Sequence, residues 1–293
     1  MHDIETITTP IRIDLWPDAA PGQRGPQFLD SVVPVGAVAG IDKPFVELRR
    51  PEHPNGASVI VLGGGGYRHI QMLKESDLAA DLLLGLGVTV AVLHYRLPND
   101  GWPAEAPVQD VQRTVRLLRA RAAELGLDPG RVGVLGFSAG GHLAAMSATR
   151  FDFSTYADVD AADSLPARPD FAALIFPITT LLPPFDTTST RRVLMADGND
   201  PERLKAFSPP LHAAGTAPPT FIAHASDDLV ADPRHSLMMF EALQAAGVPV
   251  EMHMFQNGGH GHAHGAPDSR FHLWQGLFAS WVAPHIAAPA TKA

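Results

Sequence analysis

Residues 132–149 read VGVLGFSAGGHLAAMSAT and give the first indication of the fold. The first six are apolar or glycine, which is typical of a buried strand, and the small residues of 139–149 predict a helix. The join between them has the pattern G-x-S-x-G with Ser138 at its centre. Glycines on either side let strand and helix approach closely, and the tight turn exposes the serine hydroxyl. We therefore predict that Ser138 is a nucleophile; the alternative is an ordinary turn with a solvent-facing serine.

Other short apolar runs indicate further strands, alternating with helical patterns. Most of the runs are continuously apolar, as expected for strands of a parallel sheet covered on both faces. The alternation predicts an α/β protein with a doubly wound, mostly parallel sheet, which binds ligands at the carboxyl ends of its strands. The predicted strands are 59–62, 88–93, 132–137, 172–176, 220–224 and 250–255, and the predicted helices are 75–86, 108–125, 139–149, 234–246 and 268–282.

Two regions break this alternation. Residues 1–50 contain many prolines and suggest one or two edge strands. Residues 177–219 contain eight prolines and no clear period, and we interpret them as a small cap-like insertion over the sheet edge. Because no linker-like stretch divides the chain, we predict that residues 1–293 form one domain.

Composition excludes several classes of function. The chain carries 22 basic and 31 acidic residues, a formal net charge of −9, and no basic run longer than two residues, so no nucleic-acid partner is expected. The absence of cysteine excludes disulfides, thiolate metal sites and a cysteine nucleophile. With no long apolar run and no signal-peptide pattern, we expect no membrane partner. The expected location is cytoplasmic, or secreted or periplasmic if a leader has been removed.

A serine nucleophile needs a nearby base, which must itself be oriented by a carboxylate. The strand at 220–224 runs into a loop with Asp228, and the strand at 250–255 runs into a glycine-rich loop with His260. Ser138, Asp228 and His260 therefore each follow a strand, in the chain order typical of this kind of fold. We predict that they form a catalytic triad.

Both loops contain alternative candidates. In the acid loop, Asp227 is interpreted as a carboxylate that caps local backbone N–H groups, and Asp232 is a more distant candidate. In the histidine loop, His260, His262 and His264 alternate, and imidazoles with this spacing are an alternative hypothesis for a metal site. No neighbouring carboxylate motif supports that hypothesis, and we predict no metal.

The strand at 59–62 ends in a run of four glycines, whose backbone N–H groups are free to face a ligand. We predict that Gly65 and Gly66 donate hydrogen bonds to a developing oxyanion together with the N–H of Ala139. A phosphate-binding loop is the competing interpretation, but neither glycine-rich nucleotide motif is present.

Some neighbouring polar residues allow two interpretations. Tyr67 and Arg68 follow the glycine run and are candidates for substrate contact. For Tyr67, packing across the turn is an equally supported alternative. For Glu75 and Arg96 we favour a structural salt bridge.

Several stretches together resemble a known family: GGGGY, LHYRLP, GRVGVLGFSAGGHLAA, HASDDLVADPRHS and GVPVEMHMFQNGGHGH. They are similar to the acetyl-xylan-esterase-like carboxylesterases of the α/β-hydrolase superfamily, over residues 15–281. The resemblance implies Ser138 as nucleophile, Asp228 as acid and His260 as base. It also implies removal of small acyl groups, notably acetyl, from sugar hydroxyls or simple esters without a cofactor.

The sequence thus predicts a serine esterase that acts on a small-molecule ester through an acyl-enzyme. A short acyl group is expected because residues 177–219 are proline-rich and not a long apolar lid. Two alternatives remain at this stage: an amidase or peptidase with the same groups, and a binding module on an inactive hydrolase scaffold.

Overall fold

An eight-stranded sheet organises the protein, as seen in a computed structural model that describes residues 10–30, 32–196, 198–260 and 269–288. Two further short strands pair with each other beside it. In chain order the strands are β1 (Ile11–Asp14), β2 (Ala37–Val38), β3 (Phe45–Arg49), β4 (Ser58–Leu62), β5 (Ile70–Gln71), β6 (Thr89–His94), β7 (Val132–Phe137), β8 (Phe171–Ile175), β9 (Thr220–Ala225) and β10 (Val250–Phe255).

The sheet has the strand order β1-β3-β6-β4-β7-β8-β9-β10. The six strands from β6 to β10 in this order run parallel, and β1 and β3 form an antiparallel edge. The predicted mostly parallel sheet is confirmed, and each of the six predicted strands matches an observed one to within one residue. The carboxyl ends of β4, β7, β9 and β10 lie on the same edge of the sheet, so the loops that follow them are neighbours.

Helices cover both faces of this sheet. Successive residues of β4 show the two faces directly, because Ile60 and Leu62 pack into one hydrophobic cluster while Val59 and Val61 pack into the other. The helices are α1 (Asp77–Gly85), α2 (Ala106–Ala120), α3 (Ala122–Leu125), α4 (Ser138–Thr149), α5 (Ser189–Met195), α6 (Pro201–Ala206), α7 (Arg234–Ala245) and α8 (Trp274–Ile286).

Three helices differ from the sequence prediction. The helix predicted over 268–282 is α8, which begins at Trp274 and extends to Ile286. The helix expected from residue 75 begins earlier, as a single π-helical turn over Met72–Ser76 that continues into α1. The helix predicted over 108–125 is divided into α2 and α3 at Arg121, whose backbone leaves the helical region. Periodicity sets the apolar face of a helix but does not register such a local change of backbone.

The segment 177–219 connects the adjacent strands β8 and β9 and contains α5 and α6. The helix α5 begins at Ser189 and is capped by Thr188, whose side chain accepts a hydrogen bond from the N–H of Arg191. Within the described parts of the chain, no helix is both long enough and apolar enough to cross a membrane.

Candidate active site

Ser138 lies at the turn between β7 and α4, with a left-handed backbone conformation of φ 51°. The two flanking glycines make this turn possible. A Cβ at Gly136 would overlap the carbonyl oxygen of Gly140, and a Cβ at Gly140 would overlap the carbonyl oxygen of Leu62 on β4. Strand and helix therefore approach to a distance that no side chain permits, and Ser138 is held at the carboxyl edge of the sheet.

A chain of hydrogen bonds joins Ser138, His260 and Asp228. The distance from Ser138 Oγ to His260 Nε2 is 2.9 Å, and the distance from His260 Nδ1 to Asp228 Oδ2 is 2.7 Å. Because a carboxylate only accepts hydrogen bonds, Nδ1 carries the ring proton, and Nε2 accepts the serine hydroxyl. The structure thus brings together three residues that lie after three different strands, in the arrangement that base-assisted attack by a serine requires.

The carboxylate of Asp228 is buried and surrounded by donors. Its Oδ1 accepts the backbone N–H groups of Val230 and Ala231 at 2.8 and 2.9 Å, and its Oδ2 faces both His260 and His224. Burial alone would raise the pKa of Asp228, but the hydrogen bonds from the two histidines and the backbone outweigh it and hold the pKa well below its usual range. Asp228 is therefore an anion at neutral pH.

Asp227 has a different role from the local cap that its position suggests. Its Oδ1 accepts the N–H groups of Gly258 and Gly259, both at 2.8 Å, and so caps the neighbouring loop that carries His260. The carboxylate ties the acid loop to the histidine loop. The third candidate, Asp232, is bonded to Arg234 instead.

The glycine run after β4 lies beside Ser138. Gly65 and Gly66 both have positive φ angles and line the same cavity as Ser138. Across the described residues, neither of their N–H groups has a hydrogen-bond partner, whereas the N–H of Gly64 is bonded to Glu75. Ala139 lies in the first turn of α4, where backbone N–H groups have no partner within the helix. All three predicted oxyanion donors are thus near the nucleophile and available.

The predicted structural salt bridge of Glu75 is not observed among the described residues. Its side chain is almost fully buried in the cavity wall, where Oε2 accepts the Gly64 N–H at 2.5 Å, and it has no Lys or Arg partner within the described ranges. Burial raises the pKa of Glu75 to about 7, although the Gly64 N–H and nearby His260 oppose this shift. Arg96 instead forms a buried ion pair with Asp110, with 2.8 Å between Nη2 and Oδ1.

The structure also corrects the predicted role of Tyr67 in substrate contact. The side chain is fully buried and does not line the cavity, and its hydroxyl donates to His142 Nδ1 at 2.8 Å. His142 Nε2 in turn donates to the carbonyl oxygen of Phe207 at 2.9 Å, which fixes the ring and leaves Nδ1 as an acceptor. Tyr67 therefore packs beneath the turn and does not contact substrate, while Arg68 does line the cavity.

The cavity around Ser138 has a volume of about 290 Å³. Ten of its fourteen lining residues have polar side chains, although apolar atoms form the larger part of the exposed lining, and the segment 177–219 supplies part of it. Its lining residues are Gly65, Gly66, Arg68, His69, Gln71, Lys74, Glu75, Ser138, Ile178, Thr188, Ser189, Thr190, Val230 and His260.

The metal hypothesis involves residues outside the described part of the chain. His262 and His264 both fall in the interval 261–268, which the structure does not describe. Within the described ranges, no group of three or more His, Cys, Asp or Glu side chains is placed to hold a metal ion.

The parallel sheet and the serine turn at its carboxyl edge define an α/β-hydrolase. More specifically, the chain belongs to the BD-FAE family, whose model matches residues 48–243, about two thirds of the chain. The α/β-hydrolase fold and the resemblance to acetyl-xylan-esterase-like enzymes are thereby confirmed.

Three known proteins illustrate this relationship. The crystal structure of an acetyl ester-xyloside bifunctional hydrolase from Caldicellulosiruptor lactoaceticus is 30% identical, with a TM-score of 0.80, over 96% of this chain and 98% of that one. An acetyl-hydrolase from Streptomyces hygroscopicus is 31% identical over 234 residues, 74% of this chain and 72% of the relative. An acetylxylan esterase from Xylanibacter ruminicola is 29% identical over 219 residues, 73% of this chain. The match spans only 43% of that esterase's length.

Proposed function

We propose that the protein is a serine carboxylesterase that hydrolyses short-chain acyl esters, acetyl esters in particular, through an acyl-enzyme. The observation that carries this proposal is the unbroken hydrogen-bonded chain from Ser138 through His260 to Asp228. In this arrangement the Ser138 hydroxyl points at the unprotonated Nε2 of His260, and the ionised carboxylate of Asp228 orients that imidazole.

In the first half-reaction, Ser138 Oγ attacks the ester carbonyl carbon while His260 Nε2 takes the hydroxyl proton. The carbonyl oxygen becomes an oxyanion, which the N–H groups of Gly65, Gly66 and Ala139 stabilise, each by about 3 kcal/mol. The bond to the alcohol oxygen then breaks, and His260 gives its proton to that oxygen. An acyl-serine remains, and Asp228 stabilises the imidazolium while it exists.

In the second half-reaction, water replaces the alcohol. His260 Nε2 removes a proton from the water as its oxygen attacks the acyl carbon, and the same N–H groups stabilise the second oxyanion. The bond to Ser138 Oγ breaks and Oγ recovers its proton from His260. The products are a carboxylic acid and an alcohol, and the enzyme returns to its starting state.

The cavity supports a short acyl group. Its volume of about 290 Å³ lies at the small end of ligand pockets, and the larger apolar side chains lining it are Ile178 and Val230. Most of the other lining residues carry polar side chains, which can form hydrogen bonds with a hydroxylated alcohol. The similarity to an acetylxylan esterase and to an acetyl ester-xyloside hydrolase supports carbohydrate acetates as candidate substrates.

The decisive experiment compares Ser138→Ala with Ser154→Ala, which replaces an exposed serine remote from the cavity lining. With 4-nitrophenyl acetate, the first variant should lose about 10⁴-fold or more in kcat while retaining its fold, and the second should match the wild type. Fluorophosphonate should label the wild type and not Ser138→Ala. Undiminished hydrolysis by Ser138→Ala would refute the mechanism.

The chain length of the acyl group is tested separately with acetate, butyrate and palmitate esters of one alcohol. We expect kcat/KM to fall along this series. A preference for palmitate would overturn the proposed short-chain specificity without affecting the serine mechanism, and faster cleavage of an acetanilide than of the matching acetate would favour an amidase.

A further inference from the structure

A second histidine contacts the acid of the triad at the same carboxylate oxygen as His260. His224 is the penultimate residue of β9, and its side chain is fully buried beneath the acid loop. Its Nε2 lies 3.2 Å from Asp228 Oδ2 and 3.0 Å from the carbonyl oxygen of Ala231, and its Nδ1 lies 2.7 Å from Ser236 Oγ. His224 does not line the cavity, so it does not contact substrate.

The hydrogen-bond partners determine the tautomer of His224. The carbonyl oxygen of Ala231 and the carboxylate of Asp228 only accept, so Nε2 carries the proton and shares it between them. Nδ1 then accepts the hydroxyl proton of Ser236 in the first turn of α7. The network therefore extends from α7 through His224 and Asp228 to His260 and Ser138.

The two oxygens of Asp228 are held differently. Oδ1 is fixed by the N–H groups of Val230 and Ala231, which belong to the same loop as Asp228 itself. Among the described residues, Oδ2 receives hydrogen bonds from His260 and His224 alone. Without His224, this oxygen would have no donor among the described residues except His260, the residue that it must orient.

We propose that His224 is a positioning residue, which holds Asp228 Oδ2 in line with His260 Nδ1 and draws negative charge from it. This inference rests on the proposed esterase function. His224 acts through Asp228: it fixes the orientation of the imidazole and moderates how strongly the carboxylate attracts the imidazole proton. Other titratable groups near this network are His235, which adjoins Ser236, and Glu75, which lines the same cavity as His260 and interacts with it electrostatically.

The test compares His224→Gln with His224→Leu. Gln places an amide N–H near the position of histidine Nε2, whereas Leu fills similar space without a donor. With 4-nitrophenyl acetate, we expect His224→Leu to lose about 10- to 100-fold in kcat with KM within twofold, as for loss of a hydrogen bond to a charged group. We expect His224→Gln to recover most of this loss.

The pH profile separates positioning from packing. Removing the N–H leaves more negative charge on Asp228, which favours the protonated imidazole, so the acid limb of the pH–kcat profile should move to higher pH in His224→Leu and much less in His224→Gln. His253→Gln, which replaces a histidine bonded to Glu251 on β10, is the matched control and should behave like the wild type.

Proton NMR provides an independent readout. In the wild type, the proton between His260 Nδ1 and Asp228 should give a far-downfield resonance, which should shift in His224→Gln and in Ser236→Ala even if His224→Leu fails to fold. Wild-type kinetics for His224→Leu, or equal losses in the Gln and Leu variants with an unmoved acid limb and an unshifted resonance, would overturn the proposal. A wild type without esterase activity but with this resonance sensitive to both variants would refute the proposed function and leave the positioning intact.

Discussion

The carboxylate of Glu75 and the backbone N–H of Gly64 are joined by a 2.5 Å hydrogen bond in the wall of the active-site cavity. Gly64 lies between this carboxylate and Ser138, so close to both that a side chain at this position would contact each of them. Glu75 thereby connects the π-helical turn before α1 to the loop of the proposed oxyanion donors. The bond uses a buried carboxyl whose pKa is raised to about 7 by burial.

Replacing Glu75 should change how stability depends on pH. The folded protein keeps the Glu75 proton up to about pH 7, whereas the unfolded chain releases it near pH 4.5, so this residue lowers stability as pH rises through that window. From pH 5 to pH 8 the wild type should lose about 2–3 kcal/mol of unfolding free energy that Glu75→Gln does not lose. Urea unfolding at both pH values checks this, with the exposed Glu241→Gln as control. If the unfolding free energy changes equally between pH 5 and pH 8 in the wild type, Glu75→Gln and Glu241→Gln, the prediction is wrong.

Asp228→Asn should remove activity while leaving the fold intact. The amide cannot hold the imidazole tautomer that a carboxylate selects, so kcat should fall by about 10⁴-fold with little change in KM. Asp232→Asn changes a carboxylate in the same loop that is bonded to Arg234, and should retain wild-type turnover. Steady-state kinetics with an aryl acetate measure both variants, and the assignment of the acid fails if Asp232→Asn is the more damaging change.

Asp227 should contribute by holding the histidine loop. Asp227→Ala leaves the N–H groups of Gly258 and Gly259 without their acceptor, and should lower stability by about 2 kcal/mol and reduce kcat as His260 loses its fixed position. Asp227→Asn keeps an acceptor oxygen and should therefore lose much less stability and much less kcat. Thermal unfolding and steady-state kinetics of the two variants check this prediction. If Asp227→Ala and Asp227→Asn have the same stability and the same kcat, a hydrogen-bond acceptor at residue 227 is unimportant.

Gly140→Ala should prevent normal folding. Its Cβ would overlap the carbonyl oxygen of Leu62, and the rigid backbone of β4 cannot yield at an acceptable cost. Gly85→Ala is the matched control, because no atom lies within 4 Å of a Cβ at the end of α1, and it should be neutral or stabilising by about 0.5–1 kcal/mol. Soluble yield and circular dichroism distinguish the two, and a well-folded Gly140→Ala would refute the packing argument.

The sequence predicted the elements whose signals are local. The strand before Ser138 is continuously apolar because it is buried on both faces, and Gly136 reflects a contact with Gly140 within the same turn. Gly140 belongs to the same local sequence pattern, although the contact that requires it is with Leu62 on β4. The order of Ser138, Asp228 and His260 was also predictable, since each follows a strand and parallel strands bring their carboxyl ends to one edge.

The remaining features depend on contacts that no local pattern encodes. The bond from Asp227 to Gly258 crosses between the loops after two neighbouring strands, so it depends on how β9 and β10 pair. Glu75 is a charged residue, for which burial without a cation is unusual, and its placement follows from the π-turn that precedes α1. The buried position of the Tyr67 side chain likewise depends on a distant residue, because its hydroxyl donates a hydrogen bond to His142 Nδ1.

The segment 177–219 leaves the sheet after β8 and returns to it at β9, two strands that already pair directly. Its ends are therefore fixed by a ladder that does not depend on what lies between them, while its own Ile178, Thr188, Ser189 and Thr190 form one wall of the cavity. The reacting groups all come from other loops. Substitution of Thr188, Ser189 and Thr190 is thus a route to new substrate preferences that changes none of the groups that transfer protons.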